Sequence, residues 1–464
     1  MPVKIKFLGG VGTVTGSCHL ISTDKCEILL DGGLFQGRRN ESYELNSTFH
    51  YNPHKLKAMI LSHAHIDHCG NIPNIIRQGM RCRVYATSAT KDVARIMLED
   101  SGKIQEEDIK YLNKINRRLG LPARKPLYTL KDAVRAARKF HSEHYGRKFC
   151  VANNINATLF DAGHIIGSSL IMLEIKEDHK IIKIGYAVDL GRHNLPLLNN
   201  PQVMAGLDYL IIESTYGGRF HRPIEEAKSR LADAINRTIK RKGKIIIPSF
   251  TLERTQEVVY FLNMLLKEQA IPEIPIFVDS PLATDITEAF KNHADYLDMQ
   301  TQEDIRSGNS PFEFLNLEYV RSQEDSKALN NDKRPMIIIA GSGMCESGRV
   351  LHHLKNTIED SRNTILVVGY MAKDTLGRKI VDKLAFVRIY GIEYELNAEV
   401  VIINSFSGHA DQNELYDYVS ACLPLKKIFL VHGEPEQTRI FYDRLTQSGL
   451  DVHIPVRDEE VILV

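Results

Sequence analysis

The run His63-Ala64-His65-Ile66-Asp67-His68 packs three imidazoles and one carboxylate into six residues. It follows the apolar residues 58–61, which read as a buried strand. Alternate residues of an extended chain share a side, so a strand end can point His63 and His65 the same way. Asp67 and His68 come where the chain bends and can point to a second spot. One segment then offers ligands to two neighbouring metal ions. Nitrogen and carboxylate donors of this kind suit zinc best, with manganese and iron as the alternatives. A closed two-metal site needs more ligands than this run holds, so the chain must fold to bring distant segments to this strand end.

Length and composition narrow the classes. The 464 residues exceed one compact core, so two domains are expected. Hydrophobic residues make up 43% and charged residues 25%, ordinary globular values. A formal net charge of +1 announces no global nucleic-acid binder, so any basic groove must be local. Seven cysteines without a CxxC pair argue against a disulfide framework and suit a reducing cytosol, so a cytoplasmic location is expected. The N-terminal residues read as a first strand rather than a signal peptide, and no apolar run reaches membrane-spanning length.

Along the chain, residues 4–8, 27–30, 58–61, 83–86, 157–160, 170–175, 181–188 and 209–212 read as strands. A helical excursion spans about 91–138, and its basic centre at 111–125 reads as a solvated helical face. From about residue 222 strands and helices alternate, which implies a parallel, doubly wound sheet. Residues 295–333 look polar and irregular. After about 375 the first texture returns. The expected division is 1–210 for the first part of one domain, 211–374 for an inserted domain and 375–464 for the return.

Three later segments have the character of the first cluster. His164 follows the strand ending at Phe160, Asp189 ends another strand beside Gly191, and His432 ends a third beside Gly433. These motifs resemble the metallo-β-lactamase superfamily, and within it the β-CASP nucleases. Asp31 in Leu29-Leu30-Asp31-Gly32-Gly33 matches the first superfamily motif, the His63–His68 run the second, His164 the third and Asp189 the fourth. Glu213 in Glu213-Ser214-Thr215-Tyr216-Gly217, His409 in Ser407-Gly408-His409 and His432 match the three motifs that the β-CASP subgroup adds.

The resemblance implies an αββα metallo-β-lactamase sandwich with an inserted β-CASP domain. It implies two zinc ions, one on His63, His65 and His164, the other on Asp67, His68 and His432, with Asp189 bridging and Asp31 orienting ligands from behind. Ions about 3.5–4 Å apart share a hydroxide that attacks phosphorus. His409 would serve the leaving oxygen, aimed by Glu213, and the products would be a 3′-hydroxyl and a 5′-phosphate. Ser249, Arg254, Ser280 and Lys379 lie in segments that resemble the subgroup's substrate-lining ones, and residues 9–17 resemble a loop beside the site. Gly341, Ser342 and Gly343 form a glycine loop between a strand and a helix, where backbone N–H groups can cradle a phosphate. The implied partner is single-stranded RNA in a cleft between the domains, with no membrane and a possible homodimer. RNA is favoured over DNA because the DNA-repair members usually lack the histidine found at His432. The alternatives are a DNA nuclease of the same fold and a catalytically silent RNA-binding subunit.

Overall fold

The computed structural model describes residues 2–177 and 180–464. Strand Lys4–Gly9 shows how the first layers form. Ile5 and Phe7 are buried while Lys4 and Lys6 are half-exposed, the alternation of a strand with one face on a core. It lies in a seven-stranded sheet ordered Glu460–Ile462, Lys4–Gly9, Cys18–Ser22, Glu27–Leu30, Leu56–Ile60, Arg83–Ala86, Phe140–Ser142. A second seven-stranded sheet runs Val452–His453, Lys427–Val431, Tyr209–Glu213, Lys180–Ala187, Ser169–Glu177, Ile155–Asp161, Lys148–Ala152.

One apolar cluster joins the two sheets, with Ile5, Phe7, Ile28 and Ile60 from the first meeting Ile171, Ile184, Ile211 and Phe429 from the second. Each such side chain contributes about 1.5–3 kcal/mol when fully buried. On the outer face of the second sheet, helices Gln412–Ala421 and Pro435–Gln447 bury Leu415, Val419, Phe441 and Leu445 against Leu210, Ile212 and Leu430. Helices Ile72–Arg77, Ser88–Arg118 and Leu130–Ala137 supply the fourth layer beside the first sheet. The layering is the expected αββα sandwich. The helical excursion holds two helices, Ser88–Arg118 and Leu130–Ala137, and Thr129 starts the second with a capping box to Asp132.

The remaining sheet is six-stranded, ordered Leu317–Tyr319, Ile276–Val278, Ile337–Ala340, Ile245–Pro248, Thr364–Val367, Glu399–Ile402, with every pairing parallel. Its central strands are unbroken isoleucine runs, as a sheet buried on both faces requires. The stretch expected to be irregular holds helices Met299–Arg306 and Gln323–Asn331, each opened by a side-chain cap, from Asp298 and from Ser322. Polar caps and polar helix faces had masked them. A hairpin, Phe386–Ile389 and Ile392–Glu395, was also unforeseen.

Contacts divide the chain into two units. The first holds residues 1–194, 198–220 and 408–464, the second 195–197 and 221–407. Residues 211–220 thus pack with the first unit and 375–407 with the second. No helix among the described residues is long and apolar enough to cross a membrane.

Candidate metal centre

All the histidines and carboxylates expected at the metals lie in the first unit, each at or just past a strand end. His63 and His65 follow strand Leu56–Ile60, and Asp67 and His68 sit on the single helical turn Ile66–Cys69. His164 follows Ile155–Asp161, Asp189 follows Lys180–Ala187, and His432 follows Lys427–Val431. Strands Lys180–Ala187, Tyr209–Glu213 and Lys427–Val431 are parallel neighbours, so their carboxyl ends bring Asp189, Glu213 and His432 to one edge. Asp31, Asp189 and His432 have φ of 59°, 54° and 44°, the left-handed region that costs a non-glycine residue about 1–3 kcal/mol and collects at functional sites.

The ligand atoms fall into two groups. In the first, His65 Nδ1 lies 3.1 Å from His63 Nε2 and 3.2 Å from His164 Nε2. Asp189 Oδ2 is 3.3 Å from both His63 Nε2 and His164 Nε2. In the second, Asp67 Oδ2 is 3.3 Å from His432 Nε2 and 3.8 Å from His68 Nε2. Asp189 Oδ1 faces this group, 3.4 Å from His68 Nε2 and 3.2 Å from His432 Nδ1. One carboxylate therefore presents an oxygen to each group.

Buried His68 Nε2 and Asp189 Oδ1 make no hydrogen bond, an arrangement that costs stability unless a further group meets them. Two buried ligand atoms without a hydrogen bond, in a set made only of imidazoles and carboxylates, fit a pair of divalent cations.

Electrostatics sort the histidines. Burial pushes His65 down to about 3 and lowers His63 and His164, keeping these imidazoles neutral as ligands must be. Burial works against charge on His68 too, but the Asp189 and Asp31 carboxylates outweigh it and raise that imidazole well above its ordinary value. Asp189 is held well below the usual carboxylate range, because His432, His68 and His63 overcome its burial.

Asp31 stands behind the ligands, fully buried. Its Oδ2 accepts from His68 Nδ1 and Ser62 Oγ, both at 2.8 Å, and from the Tyr186 hydroxyl at 2.9 Å, while the Ser62 amide donates to Oδ1 at 2.7 Å. Ser62, Tyr186 and Thr215, whose hydroxyl lies 3.2 Å from His432 Nδ1, had escaped the sequence reading. Tyr186 left one signal, a tyrosine in a core strand whose hydroxyl needs a partner. The loop at residues 9–17 does reach the site, since the His432 amide donates to the Gly10 carbonyl.

His409 and Glu213 form the remaining pair. His409 Nδ1 is 3.2 and 3.1 Å from the two Glu213 oxygens, and Glu213, fully buried, also accepts from the Leu190 amide at 2.5 Å. Burial alone would lower His409, but Glu213 raises it to about 9, with Asp189 and Asp67 adding to the effect. The His409 ring lies 4.6 Å from His164 and 6.1 Å from Tyr216.

The substrate candidates all lie in the second unit. Ser249, Ser280 and Gly341 follow the carboxyl ends of neighbouring parallel strands, where open α/β sheets take ligands. Ser249 is buried and its hydroxyl accepts from Thr255 at 3.1 Å, and Ser280 caps helix Pro281–Asn292. The Ser342 hydroxyl takes up the amides of Glu346 and Ser347, and a Cβ on Gly343 would meet the Phe250 ring at 2.8 Å. Arg254 pairs with Glu257 at 3.2 Å in its own helix, with its guanidinium 5.8 Å from the Phe406 ring centroid. Lys379 is exposed on helix Leu376–Val381.

Three family models match the chain: a metallo-beta-lactamase superfamily domain over residues 20–208, a Beta-Casp domain over 255–380, and a Zn-dependent metallo-hydrolase RNA specificity domain over 393–455. The chain is 33% identical to Ribonuclease TTHA0252 of Thermus thermophilus, over 97% of this chain and 98% of that one. It is 31% identical to transcription termination factor FttA of Pyrococcus horikoshii, over 94% of this chain and 67% of that protein. A solved structure of a protein of unknown function from Enterococcus faecalis shares the fold, with a TM-score of 0.58 at 14% identity and full coverage of both chains.

Proposed function

Since the chain belongs to the β-CASP family of metallo-β-lactamase-fold hydrolases, we propose that it is a zinc-dependent ribonuclease acting on single-stranded RNA. The observation that carries this reading is the Glu213–His409 pair beside two ligand groups that share Asp189. One cation would sit on His63, His65 and His164, a second on Asp67, His68 and His432, with Asp189 common to both. Two cations there would lower the pKa of a shared water and neutralise phosphate charge.

The chain's own residues do the rest. Asp31 fixes the His68 ring through Nδ1, so that Nε2 faces the ligand cluster. Glu213 holds His409 by Nδ1 and keeps the imidazole protonated at neutral pH. The opposite nitrogen then carries the proton that the leaving oxygen of the cleaved phosphodiester requires. Ser249, Arg254, Ser280, residues 341–343 and Lys379 are proposed to meet the RNA. A homodimer is proposed on the family's ground. The ribonuclease name of the Thermus thermophilus relative and the match to an RNA specificity domain speak for RNA over DNA.

The test pairs metal analysis with cleavage of a labelled RNA and a single-stranded DNA of the same sequence. We expect two zinc ions per chain and faster loss of the RNA. A protein with both ions bound and no cleavage of RNA would overturn the reading. Cutting of a circular RNA would establish endonucleolytic action, which a linear substrate does not separate from attack at a 5′ end.

A further inference from the structure

We propose that the exposed basic arm at residues 110–125 is a second RNA-contact surface, which grips the strand far from the point of cleavage. This rests on the ribonuclease reading above and adds to it a place on the chain.

The arm is rooted at the metal centre. Helix Ser88–Arg118 begins where the Thr87 and Thr90 hydroxyls both donate to the Gly167 carbonyl at 2.7 Å, three residues past His164. From Thr90 to Arg117 it runs about 40 Å at about 1.5 Å per residue. Charge along it is segregated. Residues 91–108 mix signs, with Asp92, Glu99 and Glu107 among Lys91, Arg95 and Lys103, as a merely solvated face does. Beyond Asp108 no acidic residue follows until Asp132. Lys110, Lys114, Arg117 and Arg118, spaced i, i+4, i+7 and i+8, fall on one helix face, and all are exposed. In a chain whose net charge is only +1, this concentration of one sign is local.

The turn that follows is built rather than loose. Asn113 donates to the Arg124 carbonyl at 2.9 Å and accepts from the Arg124 amide at 2.8 Å. Asn116 donates to the Pro122 carbonyl at 3.1 Å, and the Tyr43 hydroxyl to the Lys125 carbonyl at 3.1 Å. These bonds hold the backbone through neutral groups and leave Lys125 exposed, while the exposed Arg124 donates to Asn40 Oδ1 at 3.0 Å and its guanidinium lies 5.7 Å from the Tyr43 ring centroid. Tyr111, 64% exposed, stands next to Lys110 on the same helix. Spaced cations with an exposed aromatic ring suit a single strand, whose phosphates meet the charges and whose bases stack on the ring. An acidic protein would take the charges but gives the ring no such use.

The experiment compares the zinc-loaded protein with its K114A/R117A/R118A variant. Alanine keeps the helix, and circular dichroism checks it. A stacked strand rises about 3.4 Å per nucleotide, so an RNA of about 6 nucleotides cannot reach from centre to arm, whereas one of about 40 can. For the long RNA we expect KM to rise about tenfold near physiological salt with kcat unchanged. The slope of log kcat/KM against log salt should fall by about 2, for three lost phosphate contacts. The short RNA should be cut alike by both proteins, and K114R/R117K/R118K should behave as the parent. Equal KM and equal salt slope on the long RNA would overturn the inference. So would a changed oligomeric state in the variant with RNA handling intact, which would mark a protein contact. If the parent cleaves neither RNA, the ribonuclease reading fails by itself. Fluorescence anisotropy of the uncut long RNA then decides the arm, with equal affinity of parent and variant rejecting it.

Discussion

At the scale of single residues, the proposed mechanism divides the work of the site between Asp189, which holds, and His409, which reacts. Asp189 gives one oxygen to each ligand group, so Asp189→Ala should cost the protein at least one of the two proposed ions. Metal analysis after dialysis checks this, and full retention of both would contradict the shared role. His409→Ala should leave metal content intact and slow cleavage by about a hundredfold or more, the size of a general acid's contribution. Because the folded-state pKa of His409 is raised to about 9, its proton is present below that pH and lost above it. The rate should therefore fall on an alkaline limb near pH 9. Glu213→Gln removes the charge that raises it, so the limb should move to lower pH, and a limb that stays in place would detach Glu213 from His409. Tyr186→Phe deletes one donor to a buried carboxylate. Metal affinity should drop about tenfold, as for other partners that orient a ligand.

At the scale of elements, the recurring device is a strand that stops beside a glycine. Gly33 has no room for a side chain, since a Cβ there would overlap the Asp67 carbonyl, and at Gly191 it would overlap the Gly163 carbonyl. Gly33→Ala should push the Ile66–Cys69 turn away and weaken metal binding without touching a ligand. Unchanged zinc affinity in a folded variant would show that the loop yields. These strand ends were legible because apolar runs ending in His or Asp beside Gly stand out in the sequence. The helices at 299–306 and 323–331 were not, since short polar helices carry no strong apolar period and only their caps, Asp298 and Ser322, mark them. Ser62 and Tyr186 were hidden for another reason. Serine and tyrosine are common residues, and only the fold places their hydroxyls on Asp31.

On the scale of the whole molecule, the candidate ligands span positions 63 to 432 yet lie in one contact unit. Cations held there tie together segments that are far apart in an unfolded chain, so their removal should destabilise that unit. Chelation should lower its Tm by about 5 °C or more, read by calorimetry. An unmoved transition would mean that the ions bind without supporting the fold. The return of the chain to the first unit was readable only because His409 and His432 matched ligands far upstream. Composition marks a change of texture, but the contact that closes the unit is long-range.

His432 follows strand Lys427–Val431, which lies in its sheet between Tyr209–Glu213 and Val452–His453. A nascent chain still lacking that strand has no complete second ligand group, however well its first two hundred residues have folded. On the proposed mechanism, a chain still on the ribosome is therefore inert, and the capacity to cut arises only once synthesis has passed this late segment. For a protein made on the very kind of polymer it is proposed to destroy, the order of its strands delays the hazard to the message.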